Sequence, residues 1–349
     1  MAKDDPIFTS MGMFIIDENQ YPPSSKKEPV HNIIGGGGTY AIIGSRIIAG
    51  AEKSKLICGI IDKGSDFPEI VEEEILSWNS GIVWKEDLSR LTTRGLNIYD
   101  EADIRHFKYK TDKKRIEAQD IVNHPYLIRS RTIHIISSVE RCESIIDTIL
   151  SNTPNDVIPT FIYEPLPDVC VASSYDKLTL LLPKIDVFTP NLNEMSNLAN
   201  LARVPETMED IKTLSSKFSP YLTKPNSGSV VRCGPLGCFI KTSKVEISLP
   251  AYHRNQDKVV DVTGGGNLFC GGFVTGLCLS KGDWVIGGIC GNIASGCVIE
   301  RLGMPRLYLG LSDEKWNGSS TSKRLKYYVD MNKSILDGTF DVTKIDWLA

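Results

Sequence analysis

Apolar runs of strand length alternate with segments of helical spacing over most of the chain, and no other feature constrains the fold as strongly. Phe8–Ile16 reads as a strand and Val30–Ile34 as a short one ending at glycines. Thr39–Ala51 has helical spacing, Leu56–Ile61 is strand-like, and Glu69–Trp78 is helical with a negative face. Thr132–Ser137 predicts a strand and Glu140–Ser151 a helix, while Pro159–Tyr163 and Asp186–Thr189 are short apolar runs closed by proline. Ser229–Cys233, Cys238–Thr242 and Lys244–Leu249 have strand length and β-branched content. Strand, helix, strand in this order predicts an α/β fold with a mainly parallel sheet. Leu88–Ile121 breaks the pattern: it is charged, holds short alternating stretches (Leu96–Tyr99, Phe107–Tyr109), and reads as a small β excursion or lid. The polar tail beyond Gly310 predicts a peripheral helix or two.

At 349 residues the chain has ample material for a core. A net charge of −4 gives no global attraction to nucleic acid or to an anionic membrane. No apolar run approaches a membrane span, and the charged N-terminus lacks a signal-peptide core. The expected location is the cytoplasm, with nothing that excludes nuclear entry. Nine cysteines, an odd number without a C-x-x-C pair, suit a reduced compartment with no disulfide framework. The five histidines are scattered, so no structural zinc site is expected.

Three glycines follow Asp261 and Thr263 in the stretch 260–272, and a glycine-spaced apolar helix is predicted to begin there. A helix start leaves unpaired N–H groups at the positive end of the dipole, ready for a phosphate. A glycine turn also forms an anion-binding concavity without a helix, although a plain tight turn accounts for three bare glycines equally well. A second cluster, Gly35–Gly38, lies between a strand and a helix. There Gly36-x-Gly38-x-x-Ala41 fits a loose dinucleotide fingerprint, with Asp62 as the ribose-binding acid. The fingerprint normally opens its domain, whereas here a strand and the insert Gln20–Glu28 precede it. No Walker-type phosphate loop occurs. Asn191 and Glu194 put an amide and a carboxylate at a strand-to-helix junction, suited to a hydrated Mg²⁺ near phosphate. A helix cap is the plainer reading of the same pair. Val230–Cys238 reads as a strand, a glycine turn and a returning strand.

In this order the motifs resemble the ribokinase or pfkB family of carbohydrate kinases, from about Phe8 to Leu307. Asp261–Gly266 is similar to the family signature Asp-Thr-x-Gly-Ala-Gly-Asp. The resemblance implies a three-layer α/β/α fold with a mainly parallel central sheet. One domain would span residues 1–310, with a small β lid from about 13–32 and 88–121, and 311–349 would be a peripheral segment. ATP and Mg²⁺ are the implied cofactors, with K⁺ as a further candidate, and the implied substrate is a sugar or nucleoside-like alcohol. Family members often dimerise through the lid. By position, Gly264, Gly265, Gly266 and Asn267 match the catalytic anion site, and Arg232, Gly234, Gly237 and Asn292 the nucleotide site. Asn191 and Glu194 match the motif that organises Mg²⁺ and phosphates, with Asp261 as a second candidate metal ligand. Asp17, Gly36, Gly37 and Tyr40 fall at the acceptor pocket. Glu164-Pro165 and the stretch 92–97 look closest to a fungal branch, the maintenance-of-killer-like proteins.

Two departures bear on activity. Asn267 stands where the family carries its catalytic aspartate, and an amide cannot take a proton from the attacking hydroxyl. General-base catalysis is worth roughly 10²–10⁴-fold, but positioning and charge stabilisation supply much of phosphoryl transfer. Tyr40 replaces a family asparagine and is expected to reshape or fill the sugar pocket. Three readings follow: a kinase using another base, a pseudokinase that binds nucleotide or metabolite and acts through protein interaction, and an NAD(P)-dependent oxidoreductase. Under the first, Asn267→Asp is expected to raise turnover.

Overall fold

The structure, a computed structural model, describes residues 5–102, 104–310, 313–339 and 341–348. From β1 (Phe8–Ser10) the chain leaves the main sheet to form β2 (Ile15–Gln20) and β3 (Val30–Gly35), then returns through α1 (Gly37–Ala49) to β4 (Ile57–Lys63). After α2 (Glu69–Ser77) and β5 (Gly81–Glu86) it leaves again as β6 (Arg94–Tyr99) and β7 (Arg105–Tyr109). Next come α3 (Ala118–Val122), β8 (Thr132–Ser137), α4 (Val139–Asn152), β9 (Thr160–Pro165), α5 (Tyr175–Leu181), β10 (Val187–Phe188), α6 (Leu192–Leu198) and α7 (Met208–Ser216). The sheet ends with β11 (Gly228–Arg232), β12 (Cys238–Thr242) and β13 (Glu246–Leu249), and α8 (Gly265–Leu279), α9 (Trp284–Val298) and α10 (Thr321–Met331) follow.

The main sheet has nine strands in the order β13-β12-β11-β10-β9-β8-β1-β4-β5, parallel except at β12 and β13. Its side chains alternate between two cores: Ile162 faces the layer of α1, α8 and α9, whereas Phe161 and Tyr163 face the layer of α4 to α7. The four-stranded sheet β3-β2-β6-β7 is the lid-like excursion. Here the expected single strand Phe8–Ile16 divides, with β1 in the large sheet and β2 in the small one. The apolar run hides the change because both halves are buried. The bend sits at Gly12, where a Cβ would lie 2.5 Å from the backbone of Gly38.

Two further glycines position the site. A Cβ at Gly44 would lie 2.1 Å from the Leu268 carbonyl oxygen, and one at Gly271 would lie 1.9 Å from that of Ala41. Helices α1 and α8 therefore touch backbone to backbone, in step along their length, and a Ser45–Thr275 hydroxyl pair at 2.6 Å continues the contact. Their N-termini, each opened by a glycine cluster, consequently lie side by side. Beyond Gly310, α10 buries Arg324, Leu325 and Tyr328.

Candidate functional site

Gly264 is the N-cap of α8 with φ +78°, a left-handed conformation that favours glycine. The Gly265 N–H bonds the Val262 carbonyl at 3.1 Å, and the first intrahelical bond runs from Leu268 to Gly264. Gly266 and Asn267 therefore present N–H groups with no intrahelical acceptor at the positive end of a fifteen-residue helix. Gly264 is also flanked by the Tyr40 ring, which a Cβ would approach to 2.3 Å. Gly264→Ala is accordingly expected to cost about 1–3 kcal/mol through the left-handed backbone and the clash. Tyr40→Ala in the same chain should recover part of that loss, a coupling that urea unfolding of the double-mutant cycle measures directly.

Behind the turn lies a buried polar chain. Asn267 Nδ2 donates to both carboxylate oxygens of Glu164 at 3.0 Å. Glu164 also pairs with Arg232 Nη1 at 2.7 Å and with His134 Nε2 at 3.0 Å. Arg232 Nη2 reaches Glu194 at 3.1 Å and the Thr189 carbonyl at 3.0 Å. Ser10 Oγ accepts the Gly12 N–H, which frees its proton for His134 Nδ1 at 3.1 Å. An ionised Glu164 carboxylate can only accept, so the imidazole donates to it from Nε2. Burial alone would raise the Glu164 pKa, but the Arg232 charge, His134 and the Asn267 amide outweigh it and hold the carboxyl at about 2. Glu194, less well compensated, is pushed up by burial against the pull of Arg232.

Asn191 and Glu194 form a capping box on α6: Asn191 Oδ1 accepts the Glu194 N–H at 2.8 Å, and Glu194 accepts the Asn191 N–H at 2.7 Å. Both Glu194 oxygens already have protein donors, from Asn191 and Arg232. Asp261 instead accepts the Thr263 N–H at 2.9 Å. Among the described residues one group of three has metal-ligating geometry, His134, Glu164 and Cys270. It contains neither Glu194 nor Asp261, and the Arg232 guanidinium against Glu164 opposes a cation there.

Arg232, Gly234, Gly237 and Asn292 line one cleft together with Gly265 and Gly266. The end of β11 provides Arg232 and the turn into β12 provides the two glycines, with φ +55° at Gly234 and +88° at Gly237. Asn292 is buried, its amide donating to the Gly288 carbonyl at 3.1 Å and to Tyr328 Oη at 3.2 Å. Helix α10 thus braces this wall. On the lid side, Gly37 lies against Asn267, and a Cβ at Gly36 (φ +90°) would collide with the Met13 carbonyl. The Tyr40 ring fills the space beside Gly264 and is 4% exposed. Asp17 is buried beside Gly35 and Gly95, with Oδ1 unpartnered. Burial raises its pKa to about 7, against the pull of Arg105.

The dinucleotide fingerprint finds no matching architecture. Gly36 follows β3, a strand of the lid antiparallel to β2, not a strand of the parallel sheet. Asp62 pairs with Arg90 at 3.3 Å.

A model of the pfkB family carbohydrate kinases matches residues 103–305. The chain belongs to this family. Protein MAK32 of Saccharomyces cerevisiae is 37% identical over 339 residues, covering 92% of this chain and 91% of that protein. This likeness supports the killer-like branch. Ribokinase from Giardia lamblia superposes with a TM-score of 0.67 at 15% identity, covering 86% of this chain and 94% of the other. Phosphofructokinase-2 from Escherichia coli, in complex with substrates and products, gives 0.65 at 16% identity, covering 94% and 99%. These two share the pfkB fold with the chain. No helix among the described residues is long and apolar enough to cross a membrane.

Sequence reasoning missed His134 as a site residue and took Glu164 only as a mark of the fungal branch. Their signal was present: an imidazole and a carboxylate inside apolar strand runs must find buried partners.

Proposed function

We propose that the protein is a nucleotide-binding member of the pfkB family in which phosphoryl transfer to an alcohol is strongly attenuated. The observation behind this reading is the Asn267–Glu164 pair. The residue at the α8 N-terminus is a hydrogen-bond donor, and the nearest carboxylate is held as an anion by Arg232 with a pKa of about 2. Neither group is fit to take a proton near neutral pH. The cleft of Arg232, Gly234, Gly237, Asn292 and the glycine helix start suits ATP, with its phosphates toward the α8 N-terminus. The protein donors present do not make a Mg²⁺ ligand set of their own. Mg²⁺ would therefore arrive on the nucleotide phosphates, with Glu194 and Asp261 as outer partners through water.

Isothermal titration with Mg·ATP, beside an ADP-release assay over sugars and nucleosides, tests this. Saturable ATP binding is expected, with acceptor-stimulated turnover at least about 10²-fold below that of family members with an aspartate at this position. Rapid acceptor-dependent turnover would sink the reading, as would absence of ATP binding. A slow kinase using another base has one observation in its favour: Asp17, with a carboxyl near pKa 7 and an unpartnered oxygen. On that reading the residual turnover falls further in Asp17→Asn and rises with pH through about 7.

A further inference from the structure

One wall of the nucleotide cleft is a loop. Residues 250–262 connect β13 to the glycine turn, and Tyr252, His253, Gln256 and Val259 line the cleft from there. The loop holds one short turn of 3-10 helix, Gln256–Lys258, so its place is set by what it rests on. At its far end the Val260 N–H meets the Ile299 carbonyl at 2.7 Å. Its first half rests on the C-terminal segment. Tyr328 Oη, on α10, donates to the Pro250 carbonyl at 2.6 Å while accepting from the Asn292 amide. The Tyr252 ring stacks on Tyr328, with centroids 6.3 Å apart and an interplanar angle of 6°, and the Arg324 guanidinium lies 5.6 Å from its centroid. Arg254 Nη2 reaches the Met331 carbonyl at 3.2 Å and Asn332 Oδ1 at 2.5 Å.

The segment that supplies these groups is itself tied to the frame of the fold. Glu300, just past α9, accepts both ends of the Arg324 guanidinium at 2.6 and 2.7 Å, together with Asn317 and His253 at 3.1 Å each. Burial would raise the Glu300 pKa, but His253, Arg324 and Asn317 outweigh it and hold the carboxyl at about 2. Further back, the buried Arg46 of α1 forks onto Glu314, with Nη1 at 2.9 Å, and lies 5.7 Å from the centroid of the buried Trp316 ring. Thr321 Oγ1 donates to the Ile47 carbonyl at 3.0 Å. A continuous path of buried contacts therefore runs from α1, the partner of α8, to the outer wall of the cleft.

We propose that the segment 313–332 is a strut that positions this wall for nucleotide, with Tyr328 as its positioning residue. The inference rests on the nucleotide reading and adds to it a dependence on residues that lie away from the phosphates. A loop held by side chains opens locally when those side chains are cut, without unfolding the sheet behind it. A ligand that needs the closed wall holds it shut in proportion to its own binding.

Hydrogen–deuterium exchange on the intact protein tests this, in the parent, in Tyr328→Phe and in Arg254→Ala. Tyr328→Phe keeps the ring stack and removes the hydroxyl that joins Pro250 to Asn292. Arg254→Ala cuts the exposed tip of the contact and changes nothing buried. In each variant, exchange over 250–262 is expected to rise about tenfold, the effect of losing one or two hydrogen bonds, while β8 and β9 exchange as in the parent. Mg·ATP at about a hundred times its Kd should then slow exchange of the loop by about tenfold or more. Unchanged exchange over 250–262 in both variants would overturn the proposal. So would a rise shared equally by β8 and β9, since that reports global destabilisation and no local strut. A loop that opens in the variants but is not slowed by ATP, when calorimetry shows ATP bound, would mean that the wall does not serve the nucleotide, and the proposal fails. Absence of ATP binding in the parent, with the rise still confined to 250–262, would count against the nucleotide reading and leave the strut in place.

Discussion

Replacing Asn267 by aspartate is expected to destabilise the protein rather than restore turnover. The Asn267 amide nitrogen lies 3.0 Å from both oxygens of Glu164, so an aspartate there sets acceptor against acceptor in a buried place. One of the two carboxyls must then take up a proton, or the pair must move apart. Disrupting a buried charge network in this way costs about 3–5 kcal/mol. The variant pair has a folded-state pKa above its unfolded value. The folded variant thus binds an extra proton, and its deficit relative to the parent should shrink as pH falls below that raised pKa and grow as pH rises through it. Urea unfolding at pH 5 and pH 8 reads the difference. Asn267→Asp with Glu164→Gln exchanges donor and acceptor and should recover most of the loss. A single Asn267→Asp variant as stable as the parent at pH 8, and active with an acceptor, would show that the network has been misread. The expectation that aspartate raises turnover belongs to the sequence alone, which does not show Glu164 waiting across the site.

Arg232→Met should be comparably severe, at about 3–5 kcal/mol, because it leaves Glu164 and Glu194 buried without their shared cation. Lysine is a poor substitute, since one ammonium cannot reach Glu164, Glu194 and the Thr189 carbonyl in the planar arrangement of the guanidinium. The acid limb of the stability profile gives a second readout. In the parent, the Glu164 pKa is lowered from 4.5 to about 2, so its contribution is complete above about pH 4.5 and lost as pH falls toward 2. Without Arg232 the folded pKa rises with burial, and that limb should flatten or reverse between pH 5 and pH 2.5. An unchanged acid limb would mean that Arg232 is not what holds Glu164 ionised. The arginine also lies against Gly266, where a Cβ would come within 2.3 Å of Nη1. Stability and the proposed phosphate-binding turn thus share one side chain.

The legible part of the fold was the part written in local pattern. Thr132–Ser137 and Cys238–Thr242 form strands with the expected ends, because β-branched apolar runs bounded by turn residues have few alternatives. Phe8–Ile16 was legible only as apolar. Its division between two sheets depends on Gly12 packing on Gly38, a contact between residues that sequence proximity does not reveal. Asn191 and Glu194 showed both a cap and a metal motif, and the structure displays the cap. Of the site, the glycines were readable because they mark backbone that must turn or approach closely. His134 and Glu164 were not, because a buried polar residue announces a need for partners but not which ones.

The sequence by itself determined the α/β order of elements, the pfkB-like succession of glycine turns, and the presence of an amide at position 267. These are properties of residue type and local spacing. The tertiary structure alone decided that Asn267 faces Glu164, that Arg232 serves two carboxylates under the glycine turn, and that Tyr40 fills the space beside Gly264. The pair Asn267 and Glu164 is 103 residues apart and comes into contact through backbone-to-backbone packing of α1 on α8 and the parallel placement of β8 and β9. Charge and donor geometry act over a few ångströms, so what a polar residue does is fixed only once the fold has chosen its neighbours.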